Sequence, residues 1–335
     1  MKSNLRQAFQ FALFFGLGIG LTYWQFHSLS PEQQDQFFIA LRKANYGWMV
    51  VAILIGALAH LSRAMRWQLL LSPLGRKAGL GSRWYAVMIG YLANYGIPRS
   101  GEVIRCTTLA TNEDVPFSES FGTVIVERLV DTLCLALVFL IVLAIEFTQL
   151  SDLWTHFIWG PASLKFGKMM QNKTLVIALG VFILLFIAAF IFLRRRIAEK
   201  IKGKLGNFIK GFVGGLVAIK KVPKPGLFIF HSLFIWAGYL FSLYACFFCF
   251  PETAGLSVNT ALVLLLFGTF GVIFTPGGIG AYQLIVTAIL IHLFASAEPA
   301  AAPFSWLSWG AQVMTVVLFT GITFAAKNSL NRLSQ

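Results

Sequence analysis

The sequence predicts an all-α, polytopic membrane protein of about six full spans. To these it adds two Pro/Gly-broken helical hairpins of opposite orientation and a cytoplasmic amphipathic helix. Three observations predict this class. Hydrophobic residues make up 57% of the 335 and charged residues 12%, about half the ~25% charged share of a soluble domain. Several apolar runs reach the ~20 helical residues that cross ~30 Å of hydrocarbon, and lipid forces the backbone to bond internally. Two apolar stretches are interrupted by proline and glycine, at NYGIPRSGE (94–102) and TPGGIG (275–280). No soluble domain of useful size fits between the runs, so residues 1–335 are read as one integral-membrane domain.

The apolar runs fall at about 8–25, 48–71, 84–97, 119–146, 174–193, 227–250, 258–275, 280–295 and 304–326. Lys2 and Arg6 precede the first, and no small-x-small cleavage site follows it, so it is read as an uncleaved span with its start in the cytoplasm. Residues 26–46 read as a loop; with Glu32 and Asp35 against Arg42 and Lys43 it can lie outside. The 72–83 connection holds Arg76, Lys77 and Arg83 and belongs inside. The densest basic stretch, 194–224, carries ten Lys and Arg against Glu199 alone and must also be cytoplasmic. Within it Ile197, Ile201, Leu205, Phe208, Phe212, Leu216 and Ile219 recur at helical spacing, giving a basic amphipathic helix on the membrane surface beside anionic inner-leaflet lipids.

Parity then folds the chain back on itself twice. Residues 84–118 must begin and end in the cytoplasm, and the return arm is too polar to face lipid across a bilayer, so they form a re-entrant hairpin with NYGIPRSGE at its tip. Lys327 and Arg332 place the C-terminus inside, so 258–295 begins and ends outside, as a second broken hairpin or a pair of full spans. Gly90 precedes Pro98 by eight residues, as Gly268 precedes Pro276. Interrupted segments in corresponding places of two halves are the sequence mark of an inverted-repeat transporter.

Charges inside the apolar runs come next, because each costs at least ~2.5 kcal/mol at mid-membrane and is normally paired or functional. Arg99, Ser100, Glu102 and Arg105 surround the first tip, with Ser100 a helix N-cap and Glu102 in the first turn. Glu127, Arg128 and Asp131 share the next span at spacings that let them meet. His60, Arg63 and Arg66 lie on one face of 48–71; Arg66 is expected to snorkel to the interface and Arg63 to reach Glu127 or Asp131. At the second break, Thr275, Gly277, Gly278 and Gly280 are expected to leave backbone N–H groups open to an anion. If both tips meet, two helix ends with Arg99 and Arg105 face one polar cavity suited to a phosphate headgroup. Arg63, Arg66, Glu127, Arg128 and Asp131 would pair or gate.

Other classes fit less well. A net charge of +14 would suggest nucleic acid on a soluble protein; here the cations flank apolar runs and no nucleic-acid partner is expected. Cys246-x-x-Cys249 lies inside an apolar helix and, with Cys106 and Cys134, reads as buried free thiol. No metal cluster or catalytic constellation is found, so the reading is non-enzymatic with no cofactor. A membrane-embedded transferase or phosphatase on a lipid-linked substrate, and a non-transporting scaffold of an envelope-lipid pathway, stay as alternatives.

The order Arg63-x-x-Arg66, Asn94 through Pro98-Arg-Ser-Gly-Glu102-x-x-Arg105, Glu127-Arg128-x-x-Asp131 and Pro276-Gly-Gly-Ile-Gly280 resembles the lysylphosphatidylglycerol synthase transmembrane region. This is the flippase-like domain of the multiple peptide resistance factor, which also occurs as stand-alone membrane proteins. The resemblance covers nearly the whole chain. It implies lipid translocation between leaflets, while substrate identity is not carried over; with the cationic cavity read above, the expected cargo is a phosphate-bearing, anionic or zwitterionic lipid of a bacterial-type cytoplasmic membrane. It also implies that the aminoacyl-transferring soluble domain is missing here, and that this chain does not itself make lysyl-lipid. Members commonly carry Glu shortly after the Pro-Gly-Gly turn; here stand Tyr282-Gln283, so acid-dependent coupling is not carried over. Partners are then a phospholipid or lipid-linked substrate and inner-leaflet anionic lipid; self-association is left open.

Overall fold

The computed structural model describes residue 16 and residues 18–97, 100–146, 222–294 and 299–333, the last of these with side chains as far as 326. The chain forms two compact units, residues 1–142 with 219–335, and residues 143–218. The second lies almost wholly outside the described residues, and the architecture below is that of the first. The amphipathic helix expected over 194–224 and the run at 174–193 also lie outside them, apart from 222–224.

The described residues form helices joined by turns and contain no strand. In chain order they are α1 (18–27), α2 (Pro31–Lys43), α3 (Tyr46–Leu71), α4 (Leu80–Gly96), α5 (Gly101–Asn112) and α6 (Phe117–Ile145). Then follow α7 (Pro225–Phe247), α8 (Val258–Phe274), α9 (Ala281–Leu293) and α10 (Ala301–Leu333). The segments Tyr46–Leu74, Phe117–Ile145, Pro225–Phe247 and Ala301–Ala326 are long and apolar enough to cross a membrane. The other apolar helices are shorter. At 17 residues, α4 and α8 reach about 25 Å, while α5 with 12 and α9 with 13 reach about 20 Å or less.

One element differs from expectation. Residues 26–46 are not a loop, because Pro31–Lys43 form α2. Ser30 Oγ accepts from Gln33 N and the Gln33 side chain accepts from Ser30 N, a capping box with Pro31 in the first turn. The signal was present in Ser30-Pro-Glu-Gln33; low hydrophobicity hid it. The helix α4 also starts earlier than the apolar run. Arg83 does not break it, since its guanidinium donates to the carbonyls of Ala78 and Ala64 and is thereby satisfied while buried.

Small residues bring the spans together. A Cβ on Gly238 of α7 would stand 2.7 Å from Ala59 Cβ of α3, and Ser242 one turn on donates to Ala52 O at 2.8 Å. With no hydrophobic force between helices in lipid, close approach of small residues and interhelical hydrogen bonds hold such a pair. Outside the spans, Arg76 ties the α3–α4 connection to the start of α6 through two hydrogen bonds to Glu119, which raise its pKa above the ordinary value.

Each broken stretch is a tightly packed helical hairpin. In the first, Gly90 of α4 lies against Gly101 and Arg105 of α5; a Cβ on Gly101 would stand 2.2 Å from Gly90 O. In the second, Gly268 and Gly271 of α8 admit Tyr282 of α9, with contacts from a built Cβ of 2.7 Å at each. The two glycines that stand eight residues before a proline therefore do the same job, letting the returning arm pack against the outgoing one. The two breaks also touch. Gly277, at φ +58°, lies under the Tyr95 ring at the end of α4, and Trp309 of α10 donates to Gly277 O at 2.8 Å.

Candidate functional site

Charges from three helices converge on a buried network. Arg63 and Arg66 come from α3, one turn apart; Arg105 comes from α5; Glu127, Arg128 and Asp131 come from α6. Arg63 Nη1 donates to Glu127 Oε1 at 2.5 Å and to Asp131 Oδ2 at 2.6 Å. Arg66 Nη2 donates to Asp131 Oδ1 at 2.8 Å. Arg105 grips Glu127 with both terminal nitrogens, at 2.9 and 2.8 Å. The side chains of Arg63, Arg66, Arg105 and Glu127 are 2, 0, 3 and 0% exposed. Water does not screen these pairs, so each buried charge depends on its partners.

Neutral residues line the rest. Arg66 Nη1 donates to Ser232 Oγ at 3.0 Å and Arg63 Nη2 to the Tyr239 hydroxyl at 3.2 Å, both on α7. The Arg105 guanidinium stacks 3.8 Å above the Trp67 ring, whose Nε1 donates to Thr123 Oγ1 at 2.9 Å. Tyr91 meets the Tyr239 hydroxyl at 3.4 Å and packs on His60, with ring centroids 4.5 Å apart. Apart from His60, these contributors were missed from sequence. Trp67 alone carried a signal, standing four residues after Arg63 on the same helical face.

The network opens at one edge. Arg128 Nε lies 3.2 Å from Glu102 Oε1, too poorly aligned for a hydrogen bond, and their side chains are 39 and 23% exposed. Glu102 sits in the first turn of α5, where the helix dipole favours a carboxylate. Among the described residues four arginines therefore face three carboxylates, and Arg128 is the least firmly held, 3.2 Å from Glu102 and 3.9 Å from Asp131 with no hydrogen bond to either.

Several expectations are corrected. Arg66 does not snorkel: it is fully buried, because Asp131 and Ser232 satisfy its head. Arg105, assigned to phosphate, has both terminal nitrogens committed to Glu127. Ser100 occupies the N-cap place of α5 without capping it; its hydroxyl donates backward to Ile97 O, and Asn94 Oδ1 takes the Gly101 N–H at 2.8 Å. Arg99 lies outside the described residues. At the second break the N–H groups of Gly278, Ile279 and Gly280 are occupied by Thr275 O, Pro276 O and Gln283 Oε1. Gly280, at φ +78°, is covered by Gly18 O of α1, and the Thr275 hydroxyl bonds Gly271 O. This turn therefore does not present the open anion site expected of it. By contrast Arg63 meets both Glu127 and Asp131, as its depth on α3 implied. Cys106, Cys246 and Cys249 are buried free thiols, and Cys134 is a half-buried one.

Comparison with known proteins shows the family of this chain. The family model described as the lysylphosphatidylglycerol synthase TM region matches residues 8–321. The chain belongs to this family. Every member of the charge network falls within the matched span, as do both broken hairpins. A protein of Methanocaldococcus jannaschii described as UPF0104 membrane protein MJ1595 is 28% identical over 101 residues, 29% of this chain and 30% of that protein. The chain thus matches under a third of the length of that curated relative. No solved structure matches. A multi-pass membrane protein of the lysylphosphatidylglycerol synthase TM family is what fold and family together establish.

Proposed function

We propose that this chain is a lipid flippase, moving a phosphate-bearing lipid between the leaflets of a bacterial-type cytoplasmic membrane with both termini in the cytoplasm. The observation that carries the reading is the buried network with its surplus cation at the half-buried Glu102–Arg128 edge, where Glu102 Oε2 and Arg128 Nε have no hydrogen-bond partner. Intramembrane ions are expensive and mark substrate pathways. Four paired arginines would be excessive for helix packing alone, since a buried ion pair is weak evidence of stability over an apolar replacement.

In this proposal the hairpins α4–α5 and α8–α9 are re-entrant and enter from opposite faces. Their short arms favour that, because each falls below the ~20 residues of a full span. Lipid phosphate reaches Arg128, releases Glu102 from it and neutralises the surplus charge, while the acyl chains stay in the bilayer. Arg99, three residues before Glu102 in sequence, shares the phosphate. Arg63, Arg66, Arg105, Glu127 and Asp131 hold the scaffold of the site rather than the headgroup.

The test is translocation of fluorescent phospholipid in proteoliposomes, read by a quencher confined to the outer face. Transfer above that of protein-free vesicles is expected, with loss in Arg128→Gln, Glu102→Gln and Arg99→Ala proteins that remain folded. Folded variants as active as the parent would remove these roles. Release of inorganic phosphate from a lipid phosphate by the purified chain would favour the transferase or phosphatase reading instead.

A further inference from the structure

Tyr91 of α4 touches both the fully paired part of the charge network and its loose edge. The Arg63 guanidinium carbon stands 5.7 Å over its ring, which packs on His60 with centroids 4.5 Å apart. Its hydroxyl meets that of Tyr239 at 3.4 Å, and Arg128 is within its electrostatic reach. We propose that the Tyr91 hydroxyl is a headgroup contact, donating to a phosphate oxygen of the lipid held at Arg128, and that Tyr239 is the residue that positions it. This rests on the phosphate-receiving role given to Arg128 above.

Unspent donors point to a ligand of this chemistry. The two phenols carry two O–H protons and share one hydrogen bond, so one proton has no acceptor among the described residues. Arg63 Nη2 donates to the Tyr239 oxygen at 3.2 Å. A phenol polarised by a guanidinium gives its own proton more readily, so Tyr239 donates to Tyr91 and the Tyr91 O–H is the one left over. Arg128 Nε is a second donor without an acceptor. Unmet donors are costly where water is excluded. The carboxylates of Glu127 and Asp131 are already taken up by Arg63, Arg66 and Arg105. A phosphate offers charged oxygens on one centre and can accept from a guanidinium and a phenol together.

Packing fixes the ring but does not account for the hydroxyl. His60 is 7% exposed and also meets the Tyr239 ring, with centroids 5.7 Å apart, so α3 and α7 both hold the Tyr91 phenol. Phenylalanine would make the same ring contacts. Gly90, the preceding residue, lies against Gly101 and Arg105 of α5, which sets Tyr91 beside the returning arm that carries Glu102. Tyr95, one turn further along α4, is spent differently: its ring lies against Gly277 at the second break. Glu102 Oε2 is the one competing acceptor in this corner that has no partner among the described residues. A variant at that carboxylate therefore belongs in the test.

The experiment titrates the full chain, purified in mild detergent, with dioctanoyl phosphatidylglycerol and reads bound lipid by native mass spectrometry. Dioctanoylglycerol, which keeps the acyl chains and lacks the phosphate, is run beside it. Tyr91→Phe keeps the ring and removes only the hydroxyl. It should bind the phospholipid about tenfold more weakly, as expected for a lost hydrogen bond to a charged group, and dioctanoylglycerol as the parent does. Tyr239→Phe should weaken phospholipid binding roughly threefold. The double variant should lose no more than Tyr91→Phe alone, because Tyr239 acts through Tyr91. Parent-like phospholipid affinity in Tyr91→Phe would overturn the proposal. An equal loss for dioctanoylglycerol would overturn it too, as the mark of a packing role. So would disappearance of the Tyr91→Phe effect in a Glu102→Gln background, which would assign the hydroxyl to Glu102. A parent chain that moves no lipid yet shows the Tyr91→Phe affinity loss would count against the flippase reading alone. Translocation lost in Arg128→Gln, with Tyr91→Phe binding as the parent does, would count against this proposal alone.

Discussion

Replacing Glu127 by Gln tests whether the network holds the fold. The substitution keeps the shape but removes the one carboxylate that accepts from Arg63 and from both terminal nitrogens of Arg105, with Arg66 a further 3.6 Å away. One of the two amide positions must then present an N–H₂ to an arginine donor, and the buried surplus rises by one positive charge. Removing one partner of a buried pair costs about 3–5 kcal/mol, because the other charge stays buried and uncompensated. Against a total stability of about 5–15 kcal/mol that is a large loss. The assay is reversible unfolding in mixed micelles with a denaturing detergent, run beside Glu119→Gln. The half-exposed Arg76–Glu119 pair should contribute little or nothing measurable. Combining Glu127→Gln with Arg105→Gln should cost less than the two single losses added, with a coupling of roughly 0.5–3 kcal/mol. A single-variant loss under about 1 kcal/mol, or strict additivity, would refute the reasoning.

The remaining predictions concern the hairpins. Gly101→Ala should destabilise by about 1–3 kcal/mol or more, since its Cβ would meet Gly90 O at 2.2 Å, while Gly122→Ala, with nothing within 4 Å, should be neutral in the same unfolding assay. Asn94→Ala should cost about 1 kcal/mol by removing the acceptor of Gly101 N, and Ser100→Ala should cost less, because Ser100 caps nothing. Gly277→Ala should loosen the contact between the two breaks, because it combines a positive φ with a Cβ 2.1 Å from the Tyr95 ring; protease nicking near residue 277 should rise.

Most of the helix pattern was legible because spans are long apolar runs and their ends carry Pro, Gly or charge. What the runs could not show was a polar helix: α2 is written in capping chemistry, at Ser30 and Gln33, rather than in hydrophobicity. The charge clusters were legible as clusters, since ions in apolar runs stand out against their surroundings. Which ion meets which was legible only for Arg63, whose depth on α3 matched that of Glu127 and Asp131, themselves one turn apart on one face of α6. Arg66 and Arg105 were misread because their partners arrive from other helices, and Ser232, Tyr239 and Trp67 are ordinary residues until the packing brings them to a guanidinium. The second break misled for a related reason. TPGGIG has the glycines of an anion-binding turn, but Gln283, Gly18 and the Tyr95 ring, which close it, lie outside the motif.

In the proposed function, lipid phosphate is received at the Glu102–Arg128 edge of a charge network inside the bilayer. An experimental structure of the chain in phospholipid nanodiscs tests this most directly. Phosphate density is expected within hydrogen-bonding distance of Arg128, with Glu102 displaced from it and the Arg105–Glu127 pair intact. Lipid confined to the outer surface, with Glu102 and Arg128 open to bulk water and no headgroup between them, would contradict it.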